Sequence, residues 1–359
     1  MKLNVRKILV SIFTTLFIIG SSNYGFAAQA NIVSSVQTLK VPCDRGNMSF
    51  DRTTLVCYNK ADINDFGQPV TLLDLSTFKV ISAFKNRDVL QRYQSSIISP
   101  DNTNIFLNSS KEGFIWDTST GAKKEIKIRV SAIHPDGKTV YYFDRDAVYS
   151  SDANNIETGV NVPNILFKWS EVNKSYRENE LYLNHLIITH DGKFLIDRDN
   201  SIIFNLQKEK LISRLEANII DISDDSRIIA GAYVNSWGGD SLLRDKTIKL
   251  WNVSTGKLIK SIVLTATEKY SKQQSSKISS LAISPNNKLI AYTFEPDIGE
   301  SSNLGIIDLS SGKLLFKSYP FPNSRSQHFL PSLTIRGFTK DSKKLIMGSK
   351  EEIKIITLK

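Results

Sequence analysis

Acid–base or metal chemistry in this 359-residue chain would have to start from four imidazoles, His134, His185, His190 and His328. They are scattered, and no GxSxG elbow, HExxH helix, metal-spaced cysteine pair or glycine-rich phosphate loop accompanies them. Imidazoles so dispersed read as surface or hydrogen-bonded core groups, and no catalytic residue is assigned. The acidic stretches DINDFG and EPDIGE supply oxygens of the kind Ca²⁺ uses, about six to eight at a time. Neither has the ligand spacing of a known loop, so no metal and no other cofactor is expected. The two cysteines, Cys43 and Cys57, would close a loop of about 15 residues if bonded, worth roughly 3 kcal/mol in the chain-entropy model. Two free buried thiols are the other reading.

The first 30 residues bear on that choice. Lys2, Arg6 and Lys7 precede the apolar run ILVSIFTTLFIIG, then polar SSNYG and small-residue FAAQA, the order of a secretory signal peptide cut after Ala27 or Ala30. The apolar run ends at Gly20, short of the ~20 residues that span a bilayer, which disfavours an uncleaved anchor. No cysteine lies near the cut, which speaks against a lipid-anchored form. The expected product is a secreted or periplasmic chain with no membrane span, in a compartment where disulfides persist. Loss of the segment takes three positive charges and no negative ones, leaving +7 in place of +10. No block of five or six like charges occurs, so nucleic acid is not an expected partner and only a weak attraction to anionic surfaces remains.

The elements that would position any site come from internal repetition. A strand, a tight polar turn and a second strand recur as MSFDRTTLVCY, IISPDNTNIFL, AIHPDGKTVYY, IITHDGKFLI, DISDDSRIIAG, AISPNNKLIAY and GFTKDSKKLIMG, with turns beginning at Ser49, Ser99, His134, Thr189, Ser223, Ser284 and Thr339. Asp and Asn bond their own backbone, Gly accepts positive φ and Pro pre-sets the first turn position, while the β-branched and aromatic flanks favour strands. A second hairpin follows most copies: VTLLDLSTFKVI, GFIWDTSTGAKKEI, SIIFNLQKEKLI, TIKLWNVSTGKLIKSI and LGIIDLSSGKLLFKS. Two hairpins per repeat make a four-stranded antiparallel sheet.

TIKLWNVSTGK and its preceding Asp245 resemble the signature of the WD40 repeat family. Asp245, Thr247, Ile248, Lys249, Leu250, Trp251, Thr255, Gly256 and Lys257 match, with Asn252 where the family has Asp, and Trp116-Asp117 repeats the dipeptide. No Gly-His dipeptide occurs, so the family's buried His–Asp network is absent or replaced, and the likeness is to a divergent, bacterial-type propeller. It implies an all-β, seven-bladed β-propeller over residues 31 to 359 as one domain, after a signal peptide at 1 to 30. The last repeat ends with three strands, and NIVSSVQTLK is left over at the start to complete it, which removes a sheet edge. Six or eight blades would follow if one repeat were misread. Trp251 and Trp116 stand where other repeats have Leu73, Phe204 and Ile307, and are read as core.

Naming the strands of a blade a to d from the axis outward, the a–b and c–d turns lie on one face of the disc and the b–c and d–a connections on the other. The visible turns of the first kind are short. The long segments, NKADINDFGQP, VNSWGGDSLLRD, EPDIGESSN, residues 170 to 183, TATEKYSKQQSSK and SYPFPNSRSQHFLP, all map to the second face, four of them to blades 5 and 6. Loops on a rigid scaffold carry binding residues. The binding candidates are Trp237, Tyr270, Tyr319, Phe321, His328 and Phe329, with Glu295, Asp297 and Glu300 beside them. Aromatics that cover large area at low entropic cost suit a protein or sugar partner. The other reading is that they cap the blade ends. The expected function is an exported, non-catalytic, monomeric scaffold for a protein or cell-envelope partner. A propeller enzyme of lactonase, hydrolase or quinoprotein type, with its site in the central channel, is the alternative.

Overall fold

The computed structural model describes residues 32–58, 69–84, 95–109, 113–144, 147–158, 163–168, 186–198, 200–232, 247–264, 278–294, 304–318 and 333–359. Their strands fall into seven four-stranded antiparallel sheets. The first, β1 (Val33–Leu39), pairs with the last, β28 (Ile353–Leu358). Blade 1 holds β2 (Arg45–Met48), β3 (Thr54–Tyr58), β4 (Val70–Asp74) and β5 (Lys79–Phe84). Blade 2 holds β6 (Ser95–Ile98), β7 (Asn104–Asn108), β8 (Gly113–Asp117) and β9 (Lys123–Ile126). In blade 3, β10 (Val130–Ile133), β11 (Thr139–Asp144) and β12 (Ala147–Asp152) are followed by the short helix α1 (Ala153–Thr158) and then β13 (Asn164–Lys168). Blade 4 is β14 (Leu186–Ile188), β15 (Phe194–Asp197), β16 (Ile202–Asn205) and β17 (Lys210–Arg214). Blade 5 is β18 (Asn218–Ile222), β19 (Ile228–Ala232), β20 (Thr247–Asn252) and β21 (Leu258–Val263). Blade 6 is β22 (Ile278–Ile283), β23 (Leu289–Phe294), β24 (Leu304–Asp308) and β25 (Leu314–Lys317). In blade 7, β26 (Thr334–Phe338) and β27 (Lys344–Gly348) join β28, and β1 supplies the fourth strand.

This is the all-β, seven-bladed propeller that the repeats predict, and the N-terminal strand closes it. One c–d connection departs from the short-turn pattern: in blade 3, where the sequence shows no second phrase, α1 lies between β12 and β13.

All seven a–b turns share one design. The hydroxyl that opens six of them donates to the third residue, as in Ser49 Oγ to Asp51 (2.6 Å), Thr189 Oγ1 to Asp191 (2.7 Å) and Ser284 Oγ to Asn286 (2.8 Å). That third side chain also accepts the N–H two residues on, as Asp51 does from Thr53 and Asp191 from Lys193. The fourth residue has positive φ: Arg52, Asn102, Gly137, Gly192, Ser226, Asn287 and Ser342, all between 55° and 72°. Gly enters that region freely and Asn readily. Arg52 is the one long side chain in the series.

Blade faces pack on each other through apolar side chains, each fully buried Leu or Ile worth about 1.5–3 kcal/mol. Trp116 lies with Val56, Leu72 and Ile98 between blades 1 and 2, and Trp251 with Phe194, Ile203 and Ile219 between blades 4 and 5. Both are buried, at 3% and 4% exposure, as core tryptophans. Cys43 and Cys57 are bonded to each other. The bond clamps the segment that enters blade 1 onto β3, while Cys43 N–H donates to Ser349 O of blade 7 (2.7 Å). Blade 7 and blade 1 are thus joined at the rim by β1 and near the axis by this segment.

The c–d hairpins pack outward in a regular way. Gly121, Gly256 and Gly312, all with positive φ, place their turns against Phe84, Ser213 and Ile262 on the outer strand of the preceding blade. Six blades carry a β-bulge where strand d meets strand c, as where Leu250 pairs with Lys260 and Trp251 with Leu258, leaving Ile259 out of register. Bulges blunt an exposed sheet edge.

Candidate functional site

Two surfaces are candidates: the face reached by the b–c and d–a connections, and the central channel. The first is framed by strand ends. β19 stops at Ala232 and β20 starts at Thr247, β21 stops at Val263 and β22 starts at Ile278. In the next blade β23 stops at Phe294, β24 starts at Leu304, β25 stops at Lys317 and β26 starts at Thr334. Antiparallel pairing puts all eight ends on the face opposite the a–b turns. Trp237, Tyr270, Glu295, Asp297, Glu300, Tyr319, Phe321, His328 and Phe329 lie between these ends, outside the described residues, as does EPDIGE; DINDFG, between β3 and β4 of blade 1, is outside them too.

The innermost strands of neighbouring blades touch and form the channel wall. Among the described residues, side chains seal six of the seven seams to backbone on the next blade. Asn47 donates to Ser96 O, Asn108 Nδ2 to Val130 O (2.6 Å), and Arg198 Nε to Ile219 O (3.2 Å). Further round, Asp221 Oδ2 accepts from Ile283 N–H (2.7 Å), Ser280 Oγ from Ile335 N–H (3.0 Å), and Arg336 Nη2 donates to Cys43 O (2.7 Å). At the seam between blades 3 and 4 the His134 imidazole sits where a Cβ on Gly192 would go.

At the short-turn end the channel is bridged. Arg52, from the blade 1 turn, reaches Asp224 in the blade 5 turn with Nε at 3.1 and 3.0 Å from the two carboxylate oxygens and Nη2 at 2.5 Å from Oδ1. Its Nη1 donates to Phe338 O of blade 7 (3.1 Å). Blades 1 and 5 are not neighbours, so this ion pair crosses the ring. Beside it Phe50 packs on His190 of blade 4, ring centroids 4.3 Å apart, and His190 Nε2 stands 3.8 Å from Asp224 Oδ1. Gly337, at φ 138°, clears the way: a Cβ there would press on Met48 Sδ at 2.8 Å and Arg52 Nη1 at 3.2 Å.

Burial sets the electrostatics of this cluster. It pushes the His190 imidazole below its ordinary value, with Asp224 opposing and the Arg52 charge adding to the shift. It raises the Asp221 carboxyl despite the nearby guanidinium groups of Arg52 and Arg198. At the seam between blades 7 and 1, burial lowers Arg336 to about 10. The arrangement is a brace: Asp224 is engaged by a forked guanidinium, and His190 is held between an aromatic face and a carboxylate. In the sequence His190 reads as a surface or satisfied group, and no motif there singles out Phe50, Arg52, Asp221 or Asp224. The available signal was Arg52 itself, a long side chain at the turn position that other repeats give to Asn, Gly or Ser.

Among the described residues, no helix is long and apolar enough to cross a membrane. No family model matches the chain, and no curated protein matches it. Solved structures do. The β-propeller domain of Myceliophteria thermophila Cps50 (Swd1) is 13% identical, with a TM-score of 0.61 over 90% of this chain and 100% of that one. A chain of the Mitotic Checkpoint Complex is 15% identical, with a TM-score of 0.61 over 97% and 98%. A chain of Kuenenia stuttgartiensis hydrazine synthase is 16% identical, with a TM-score of 0.60 over 93% and 99%. At such identity the likeness is one of fold.

Proposed function

We propose that this is an exported, divergent WD40-like propeller of bacterial type that acts as a non-catalytic scaffold. It captures a protein or cell-envelope partner on the b–c and d–a loop face of blades 5 and 6. The observation that carries this is the inequality of the two faces. The a–b turns are tied into their own hydrogen bonds, and the channel end among them is bridged by Arg52 and Asp224. The longer connections of blades 5 and 6 all leave from the opposite face. The Cys43–Cys57 bond suits an oxidising compartment, and one fold neighbour is a chain within a protein complex.

The test pairs two sets of substitutions. Trp237→Ala with Tyr319→Ala should weaken partner capture from the parent envelope fraction by about thirtyfold, about 2 kcal/mol, as interface aromatics do. The thermal midpoint should stay nearly unchanged. Trp251→Ala should instead cost about 3–5 kcal/mol of stability. If both sets unfold the chain alike, Trp237 and Tyr319 are structural caps. Export is tested separately by N-terminal sequencing, which should begin at Ala28 or Asn31; an intact Met1 on membrane-bound material would overturn it.

The channel-enzyme reading has one observation in its favour: Asp221, a carboxyl of raised pKa on an innermost strand, is the kind of group that active sites perturb. Native mass spectrometry discriminates, since a stoichiometric cofactor would reverse the order of the two readings.

A further inference from the structure

Among the described residues, every exposed large aliphatic side chain stands on an outermost strand, namely β1, β5, β13, β17 or β21. Charge is segregated the same way. The seven outer strands hold eight lysines and arginines against one acid, Glu125, while the strands inside them hold five basic residues against seven acidic ones. The positive excess of the ring therefore sits on its outer wall, interleaved with aliphatics.

Blades 4 and 5 concentrate both. Lys210 and Leu211 open β17, and Lys257, Leu258 and Ile259 lead into β21, which ends at Val263. Leu211, Leu258, Ile259 and Val263 are 40%, 53%, 54% and 70% exposed. The two strands are neighbours in space, since the Gly256 turn rests on Ser213 of β17. The edge of β21 is unsuited to receiving another strand, because the bulge takes Ile259 out of the ladder and leaves it exposed.

We propose that the outer wall of blades 4 and 5 docks the propeller edge-on to an anionic lipid bilayer, its aliphatics entering the headgroup layer and its lysines meeting the lipid phosphates. The chemistry on the wall selects this occupant. Aliphatics on a convex surface have nothing to fill in a nucleic acid groove, whereas a deformable anionic interface takes both groups at once. Lysine stems lie along apolar surface while their ammonium groups reach outward.

The test is co-sedimentation of residues 31–359, whose ring closes on β1 and β28, with vesicles of phosphatidylcholine alone or mixed equally with phosphatidylglycerol. Binding is expected to the mixed vesicles only, and to weaken with salt. Leu258→Ser, Ile259→Ser and Val263→Ser together should cut the partition coefficient about tenfold or more. Lys210→Gln and Lys257→Gln should each cut it about fivefold. All five positions are exposed, so an unchanged thermal midpoint is the control for folding. Equal binding to neutral vesicles, no binding, or wild-type binding by the variants would overturn the proposal. So would competition by soluble poly-glutamate with no effect of the serine substitutions, which would make the wall a polyanion surface.

Discussion

The Arg52–Asp224 pair ties blade 1 to blade 5 across the ring. The side chains are 11% and 24% exposed, so the pair is partly desolvated, and removing one partner strands the other. Asp224→Ala should cost about 1–3 kcal/mol by denaturant titration. Arg52→Met alone should cost less than the sum expected from both changes, and a double-mutant cycle would measure the coupling. His190 adds a pH dependence. Its folded-state pKa is depressed, first by burial, so its contribution to stability is present above the unfolded value of about 6.5 and lost as pH falls below it. The thermal midpoint of the native chain should therefore drop relative to His190→Gln as pH is lowered through that window. A parallel pH profile for the two proteins would refute the assignment.

At the scale of elements, the turns decide how the blades are spaced. Gly137 and Gly192 occupy equivalent positions with nearly the same φ, yet a Cβ on Gly137 meets nothing within 4 Å and one on Gly192 would overlap His134. Gly137→Asn should be close to neutral, as Asn102 and Asn287 already hold that position, whereas Gly192→Asn should cost about 1–3 kcal/mol by calorimetry. The c–d turns carry an acid response. Asp117 and Asp308 are held at about 2 by hydroxyl donors, Ser119 and Ser310, together with turn N–H groups. Their folded pKa values are depressed, so their contribution is present above about pH 4 and lost as pH falls to about 2. Asn252 makes the same turn without a charge, accepting from Thr255 N–H at 3.0 Å. Asp117→Asn with Asp308→Asn should therefore preserve the fold and flatten the acid limb of the stability curve.

At the scale of the whole molecule, closure is the weak point of any ring, and three devices converge on one seam. β1 completes blade 7, Cys43 is tied to both Cys57 and Ser349, and Arg336 reaches back from blade 7 to Cys43 O. Cys43→Ser with Cys57→Ser should lower stability by about 3 kcal/mol in a non-reducing melt, and dithiothreitol should abolish the difference from the native chain. The prediction fails if the oxidised and reduced native chains melt together.

The fold is legible in the chain alone, because a propeller is made of local hairpins whose turn chemistry is written in consecutive residues. Ser49-Phe50-Asp51 and Asp117-Thr118-Ser119 specify their turns wherever they stand, and seven such units of one size can bury their faces only by closing. Trp116 and Trp251 are legible as core in the same way, and an even cysteine count behind a segment that reads as an export signal favours the Cys43–Cys57 bond. The brace was out of its reach. Arg52 and Asp224 are 172 positions apart, with Phe50 beside the one and His190 beside the other, and only ring closure sets blade 1 opposite blades 4 and 5. Likewise, scattered lysines and aliphatics look like an ordinary solvated surface until the sheet order assigns them to one row of outer strands. Local geometry is encoded locally; which residues face each other across an axis, or share an outer wall, depends on how the repeats are arranged in space.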